Sequence, residues 1–171
     1  MVIFLNLTIA ILLTLVTYQD FKFRAVSWAI FPLLIAAMTI ENVLKPGPKI
    51  TTIGIGINVT FVLTQLILLT LYLSAKQRAF VRVWDAHIGP GDILFFIVLA
   101  CFFTPFNFIC FYVLSLLLTV AIVVMLKRYF PSFQQVPLAG IQSGLLLLLL
   151  IGNVAFGFAD FKSDYLILTL L

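Results

Sequence analysis

Charge is scarce in this chain: Asp, Glu, Lys and Arg together make up 9% of 171 residues, against about a quarter in soluble domains. That shortage excludes an ordinary soluble fold, a coiled coil and a disordered segment, because too little polar surface exists to cover the apolar bulk. There is one histidine, and the two cysteines, Cys101 and Cys110, form no CxxC pair and lie at no metal-ligand spacing from it. They read as buried or lipid-facing thiols. No internal repeat occurs, and the leucine run Leu145 to Leu150 is ordinary membrane-helix composition. The first nineteen residues carry no charge, so the basic opening of a signal peptide is lacking, and a retained first transmembrane helix is expected.

What is present is hydrophobic. Apolar residues reach 64%, including eighteen Phe, and mean hydropathy is +1.25. The solvent for such a chain is lipid. An all-α polytopic membrane protein is expected, forming a single domain over residues 1–171 with about six transmembrane helices. The expected spans are Val2 to Gln19, Val26 to Val43, Ile50 to Leu73, Asp92 to Phe103, Phe106 to Met125 and Leu138 to Phe158. The fourth is short, and Thr104-Pro105 turns it into the fifth as a tight hairpin. The tail from Asp160 is too short to cross again.

The formal charge of +4 is spread thinly, which suits topology and membrane lipid and predicts no nucleic-acid partner. Lys22, Arg24, Lys76, Arg78, Arg82, Lys127 and Arg128 follow the odd-numbered spans, whereas Lys45, Lys49 and Lys162 lie on the other side. By the positive-inside rule the odd loops face the cytoplasm and both termini face out. The expected location is the cell (inner or plasma) membrane.

Two acids stand out. Asp20 follows the first span and Asp92 opens the fourth; two crossings separate them, so both lie at the same membrane surface. Asp92 sits in Gly89-Pro90-Gly91-Asp92, where the glycines allow unusual backbone conformations and close approach. A plain helix cap is the competing reading of Asp92. Asp20 ends a helix, where the macrodipole disfavours negative charge, so it is a poor choice for structure alone. Two neighbouring carboxylates cannot both ionise easily: one keeps a proton and polarises a carbonyl while the other draws a proton from water. That chemistry needs neither metal nor cofactor.

The segment Asp20-Phe21-Lys22-Phe23-Arg24-Ala25-Val26-Ser27-Trp28 and the motif Gly89-Pro90-Gly91-Asp92 resemble those of the type IV prepilin peptidases, the GxGD class of membrane aspartic proteases. Val136-Pro137-Leu138-Ala139-Gly140 is similar to the segment that often opens the family's last helix. The specificity lies in the combination, since GxGD alone is a weak signal. Leu94 stands where the family usually has Lys, and the paired-CxxC insertion of larger members is missing, so the resemblance is to the minimal, peptidase-only form. It implies catalytic Asp20 and Asp92, turn-shaping Gly89 and Gly91, no cofactor, and cytoplasmic-side removal of short basic leaders. The implied substrates are prepilin-like or pseudopilin-like proteins with a leader and a hydrophobic helix.

His87, Asp85 and the pair Arg78 and Arg82 read as loop or interfacial residues, and Glu41 with Asn42 as a boundary of the second span. The competing functional reading is a non-catalytic carrier, channel or assembly scaffold. A carboxylate separation beyond roughly 10 Å would favour it, because proton sharing needs close approach.

Overall fold

The computed structural model describes residues 2–44, 47–78, 89–129 and 137–156, and within them every element of regular secondary structure is a helix. The helices are α1 (Val2–Phe23), α2 (Ile30–Leu44), α3 (Pro48–Gln77), α4 (Pro90–Phe102), α5 (Pro105–Tyr129) and α6 (Leu138–Phe156). Three stretches, Phe4–Phe23, Pro48–Gln77 and Pro105–Leu126, are long and apolar enough to cross a membrane. The other three helices are apolar but shorter. This is a polytopic membrane architecture.

Its outside is as apolar as its inside. Phe4, Leu117, Val124, Leu148 and Val154 are each more than 60% exposed, as expected of side chains whose solvent is acyl chain. Burial is concentrated on α4, where Phe95, Phe96, Val98, Leu99 and Ala100 are covered by α2, α3, α5 and α6. Rings from α3, α4 and α5 meet there: Tyr112 meets Phe96 edge-on at 5.1 Å and stacks on Phe108 at 5.6 Å, and Phe61 lies edge-on to both Phe108 and Tyr112.

α1 packs against α6 and α2. The α1–α6 contact runs along the GxxxG pair Gly140 and Gly144, of which Gly140 makes the close approach and Gly144 an ordinary contact. At Gly144 the nearest atoms to an added Cβ belong to Thr17, at 3.8 Å. Beside it, the hydroxyls of Thr17 and Ser143 share a hydrogen bond of 2.8 Å that fixes the register between the helices.

Several boundaries differ from the sequence expectation. α1 runs on to Phe23, so Asp20 lies in its last turn rather than after it. α2 begins at Ile30, four residues later than expected, because the Ser27 amide donates to Gln19 Oε1 and turns the chain back toward α1. Arg24 closes α1 with φ 54°, a left-handed conformation, its amide bonded to the Asp20 carbonyl at 3.1 Å.

α4 has 13 residues, about 20 Å of helix, less than the ~30 Å hydrocarbon core. Its last intrahelical bond ends on Leu99, so the carbonyls of Ala100, Cys101, Phe102 and Phe103 have no acceptor role left in the helix. All four are taken up by two side chains. Asn42 Nδ2 donates to Cys101 at 2.7 Å and Phe102 at 2.9 Å; Asn58 Nδ2 donates to Ala100 at 3.0 Å and Phe103 at 2.8 Å. Without them each buried carbonyl would cost on the order of 1–3 kcal/mol. Asn42 is therefore a buried helix clamp, and Glu41, 2% exposed, is also interior; the boundary reading of this pair is corrected.

Burial predicts the stability pattern. Leu99→Ala, at a fully buried site, should lower resistance to unfolding in mixed micelles by ~2–5 kcal/mol. Leu117→Ala, on the lipid-facing side of α5, should change it by less than about 1 kcal/mol. Equal losses would show that the assigned core is not the core.

Candidate active site

A helix opens with amides that its own backbone cannot satisfy. In α6 the first intrahelical bond runs from the Ile141 amide to the Pro137 carbonyl at 3.0 Å. The preceding amides need acceptors from elsewhere, and Pro137 has no N–H to offer or lose. The Ala139 amide donates to Asp92 Oδ1 at 2.9 Å, and the Gly140 amide donates to Asp20 Oδ2 at 2.5 Å. Two acids from separate helices thus meet on consecutive residues of a third.

The two bonded oxygens are held less than about 9 Å apart, given those two bond lengths and the roughly 3 Å between consecutive helical amides. The Asp20 charge acts on Asp92 directly. The α6 N-terminus presents its partial positive charge to both, which stabilises negative charge held between them. Asp20 is buried and Asp92 half-buried, so the pair lies at the edge of the bundle rather than sealed within it.

Gly140 is the steric key. A Cβ there would stand 2.8 Å from Asp20 Oδ2, 3.0 Å from Asp20 Cβ and 3.1 Å from Phe21 Cδ2. The carboxylate can reach the amide only because that carbon is missing. At Gly89 and Gly91 the unusual backbone conformation expected is not adopted, whereas the close approach is found at Gly89. Neither has a positive φ: Gly89 is extended, at φ −64° and ψ 144°, a conformation open to any residue. What Gly89 supplies is space, since a Cβ would lie 3.2 Å from Asp92 Oδ2. At Gly91 the nearest atom to an added Cβ is Phe31 Cζ, at 4.0 Å, an ordinary contact.

The capping role of Asp92 is real but partial. Gly89 occupies the cap position of α4, and the Gly89 amide acts on the Asp92 carboxylate as in a capping box. The other carboxylate oxygen reaches across to α6. Asp92 therefore ties the starts of two helices together. Beside Asp20, the two cations divide their work. Arg24 acts electrostatically on the Asp20 carboxylate. Lys22 instead bonds the Tyr18 hydroxyl at 2.6 Å and lies 5.0 Å and 5.2 Å from the Tyr18 and Phe23 ring centres.

Asp85, His87, Arg82 and the tail from Asp160 lie outside the described residues. Among the described residues no three His, Cys, Asp or Glu side chains gather into a metal-binding group. The residues that sequence reasoning missed are Ala139 and Gly140 as carboxylate anchors; the GxxxG spacing from Gly140 to Gly144 was the available signal. No protein-family model, curated protein or solved structure matches this chain.

Gly140→Ala should leave the helices inserted but drive Asp20 off its anchor, reducing any dyad-dependent activity by about 10²-fold, the scale of a 1 Å misplacement. Gly91→Ala should change the same activity by less than about threefold, because its Cβ meets only ordinary contact. Rates measured on both variants in one membrane preparation check the contrast; equal rates would refute the assigned role of Gly140.

Proposed function

We propose that this protein is a membrane aspartic endopeptidase that removes the short basic leader of prepilin-like proteins at the cytoplasmic face. The observation that carries the reading is the convergence of Asp20 and Asp92 on the consecutive amides of Gly140 and Ala139. Either bond alone would serve as a cap of that helix; together they bring two acids from separate helices to one short segment, as a pair that shares a proton requires.

The chemistry follows from the arrangement. Asp20 accepts from the Gly140 amide through one oxygen, and Asp92 accepts from the amides of Ala139 and Gly89. The ionised member takes a proton from water, and the oxygen of that water attacks the carbonyl carbon of the leader bond. The protonated member polarises the carbonyl oxygen and stabilises the tetrahedral intermediate. Collapse breaks the C–N bond as a proton passes to the leaving amine, and the pair returns to one proton in total. The apolar exterior fits a substrate whose own hydrophobic helix lies in lipid beside the site. A flexible Gly near the substrate's cleavage point would let the bond leave helical form.

The same surface arrangement argues against a transport path. Thr60 and Thr64, which interrupt the apolar run of α3, bond the carbonyls of their own helix four residues back, at 2.8 Å each, and are satisfied locally. Asn58 is committed to the end of α4.

Two experiments test the proposal. Asp20→Asn and Asp92→Asn keep the side-chain shape but remove the base and the shared proton, so each should lower leader cleavage by at least ~10²–10⁴-fold with insertion intact. The double variant should be little worse than either, since a dyad acts as a unit. Near-normal cleavage by either single variant overturns the assignment. Orientation is checked separately: a cysteine at Lys76 should label from the cytoplasmic side only, and labelling from the outer face would place the dyad on the wrong side for this substrate.

A further inference from the structure

We propose that Asn42 and Asn58 are positioning residues for Asp92, acting through α4 as a rigid strut. The inference rests on the reading of Asp20 and Asp92 as the reacting pair, and extends it to the far end of the helix that carries Asp92.

The argument concerns what fixes the height of a short helix in lipid. Side chains such as Phe95, Phe96, Val98 and Leu99 hold α4 by contact, and contact is nondirectional; nor does lipid supply a hydrophobic force favouring one register over the next. Directional contacts remain at the two ends. At the start, Asp92 bonds the Ala139 amide, but that bond is made by the reacting carboxylate itself and changes whenever the proton moves. At the finish, the four terminal carbonyls are held by Asn42 and Asn58, neither of which touches the dyad. The grip is interleaved. Asn42, from α2, takes the two middle carbonyls, Cys101 and Phe102, and Asn58, from α3, takes the outer two, Ala100 and Phe103. Two anchors from different helices fix rotation as well as height. Both side chains are more than nine-tenths buried, so water cannot substitute for them. A slip of one residue moves a helix by about 1.5 Å, enough to ruin a catalytic geometry.

Cys101 reports on the clamp. Its carbonyl is one of the four, and its thiol is 5% exposed, whereas Cys110 on α5 is exposed and can be replaced by Ser. In a Cys110→Ser background, Asn42→Leu and Asn58→Leu should each raise the rate of Cys101 alkylation by N-ethylmaleimide about tenfold or more. Each should lower kcat for leader cleavage at least about tenfold with KM within about threefold, because the substrate surface is untouched. Asn58→Gln, which keeps both donors on a longer arm, should recover part of both effects. A third readout needs no activity: in a Cys101→Ser, Cys110→Ser background, oxidative cross-linking of Asp92→Cys to Ala139→Cys should fall when Asn58→Leu is added.

Unchanged kcat beside a reactive Cys101 would make the asparagines structural only and overturn the proposal. A protected Cys101 in both Leu variants would show that they do not hold the helix end. If the Leu variants fail to insert, Asn42→Ser and Asn58→Gln decide, and alkylation and kcat must then shift together. If the unmodified protein cleaves no leader-bearing substrate, the peptidase reading fails, and alkylation with cross-linking alone judges whether the clamp sets the place of residue 92.

Discussion

The start of an α-helix carries amides without partners, and here two of them are answered by carboxylates that belong to other helices. Everything around the Ala139 and Gly140 amides is arranged to permit that. Asp20 ends α1, where its own helix dipole opposes a negative charge. It is stabilised there because the positive end of α6 lies against it, and α6 can lie so close only because Gly140 carries no Cβ. The Thr17–Ser143 bond one turn further in keeps the two helices from sliding past that meeting point. Asp92 reaches the neighbouring amide from the first turn of α4. Close packing, register and charge are thus one constraint viewed at three scales.

The second structural demand comes from the brevity of α4. A 13-residue helix in a bundle whose longest member has 30 must end inside the apolar layer, where an unpaired carbonyl has no water to turn to. Two asparagines meet that demand completely. Other polar side chains in the apolar core bond close at hand: Thr119 bonds the Ser115 carbonyl at 2.7 Å, and the Ser115 hydroxyl accepts from Gln142 Nε2 at 3.2 Å while donating to the Tyr112 carbonyl at 3.0 Å. These polar groups serve helix ends and helix contacts, and among the described residues Asp20 and Asp92 are the acids at the bundle's edge.

How much of this was legible in the sequence follows from the range of each interaction. Apolar runs broken by charge and by Pro-Gly clusters show where the helices lie, because solvation in lipid is a local property of composition. The pairing of Asp20 with Asp92 at one surface follows from counting crossings. The late start of α2 was not legible, since it depends on Gln19 accepting from Ser27 across a turn. Nor was the role of Asn42 and Asn58: a side chain that caps a different helix leaves no periodic signature in its own. Of the two reasons for noticing Gly89, the structure uses the close approach that its missing side chain allows and not its backbone freedom. Gly140 carried a readable spacing to Gly144, but its target, a carboxylate 120 positions away, emerges only once α1 is laid along α6.

The charge balance at the site fits the single shared proton that the proposed chemistry requires. Three helix termini meet there: the starts of α4 and α6, each bearing roughly half a positive charge, and the end of α1, bearing roughly half a negative one. Their sum is about half a positive charge, to which Arg24 adds its attraction from the exposed side. Such a field supports one negative charge among buried side chains far better than two. A fully ionised pair would set two carboxylates against each other on consecutive amides, whereas a fully protonated pair would forgo the two charge-assisted bonds that join α1 and α4 to α6. The singly protonated pair is the state in which helix packing and electrostatics agree, and it is also the state from which one member can act as base while the other acts as acid.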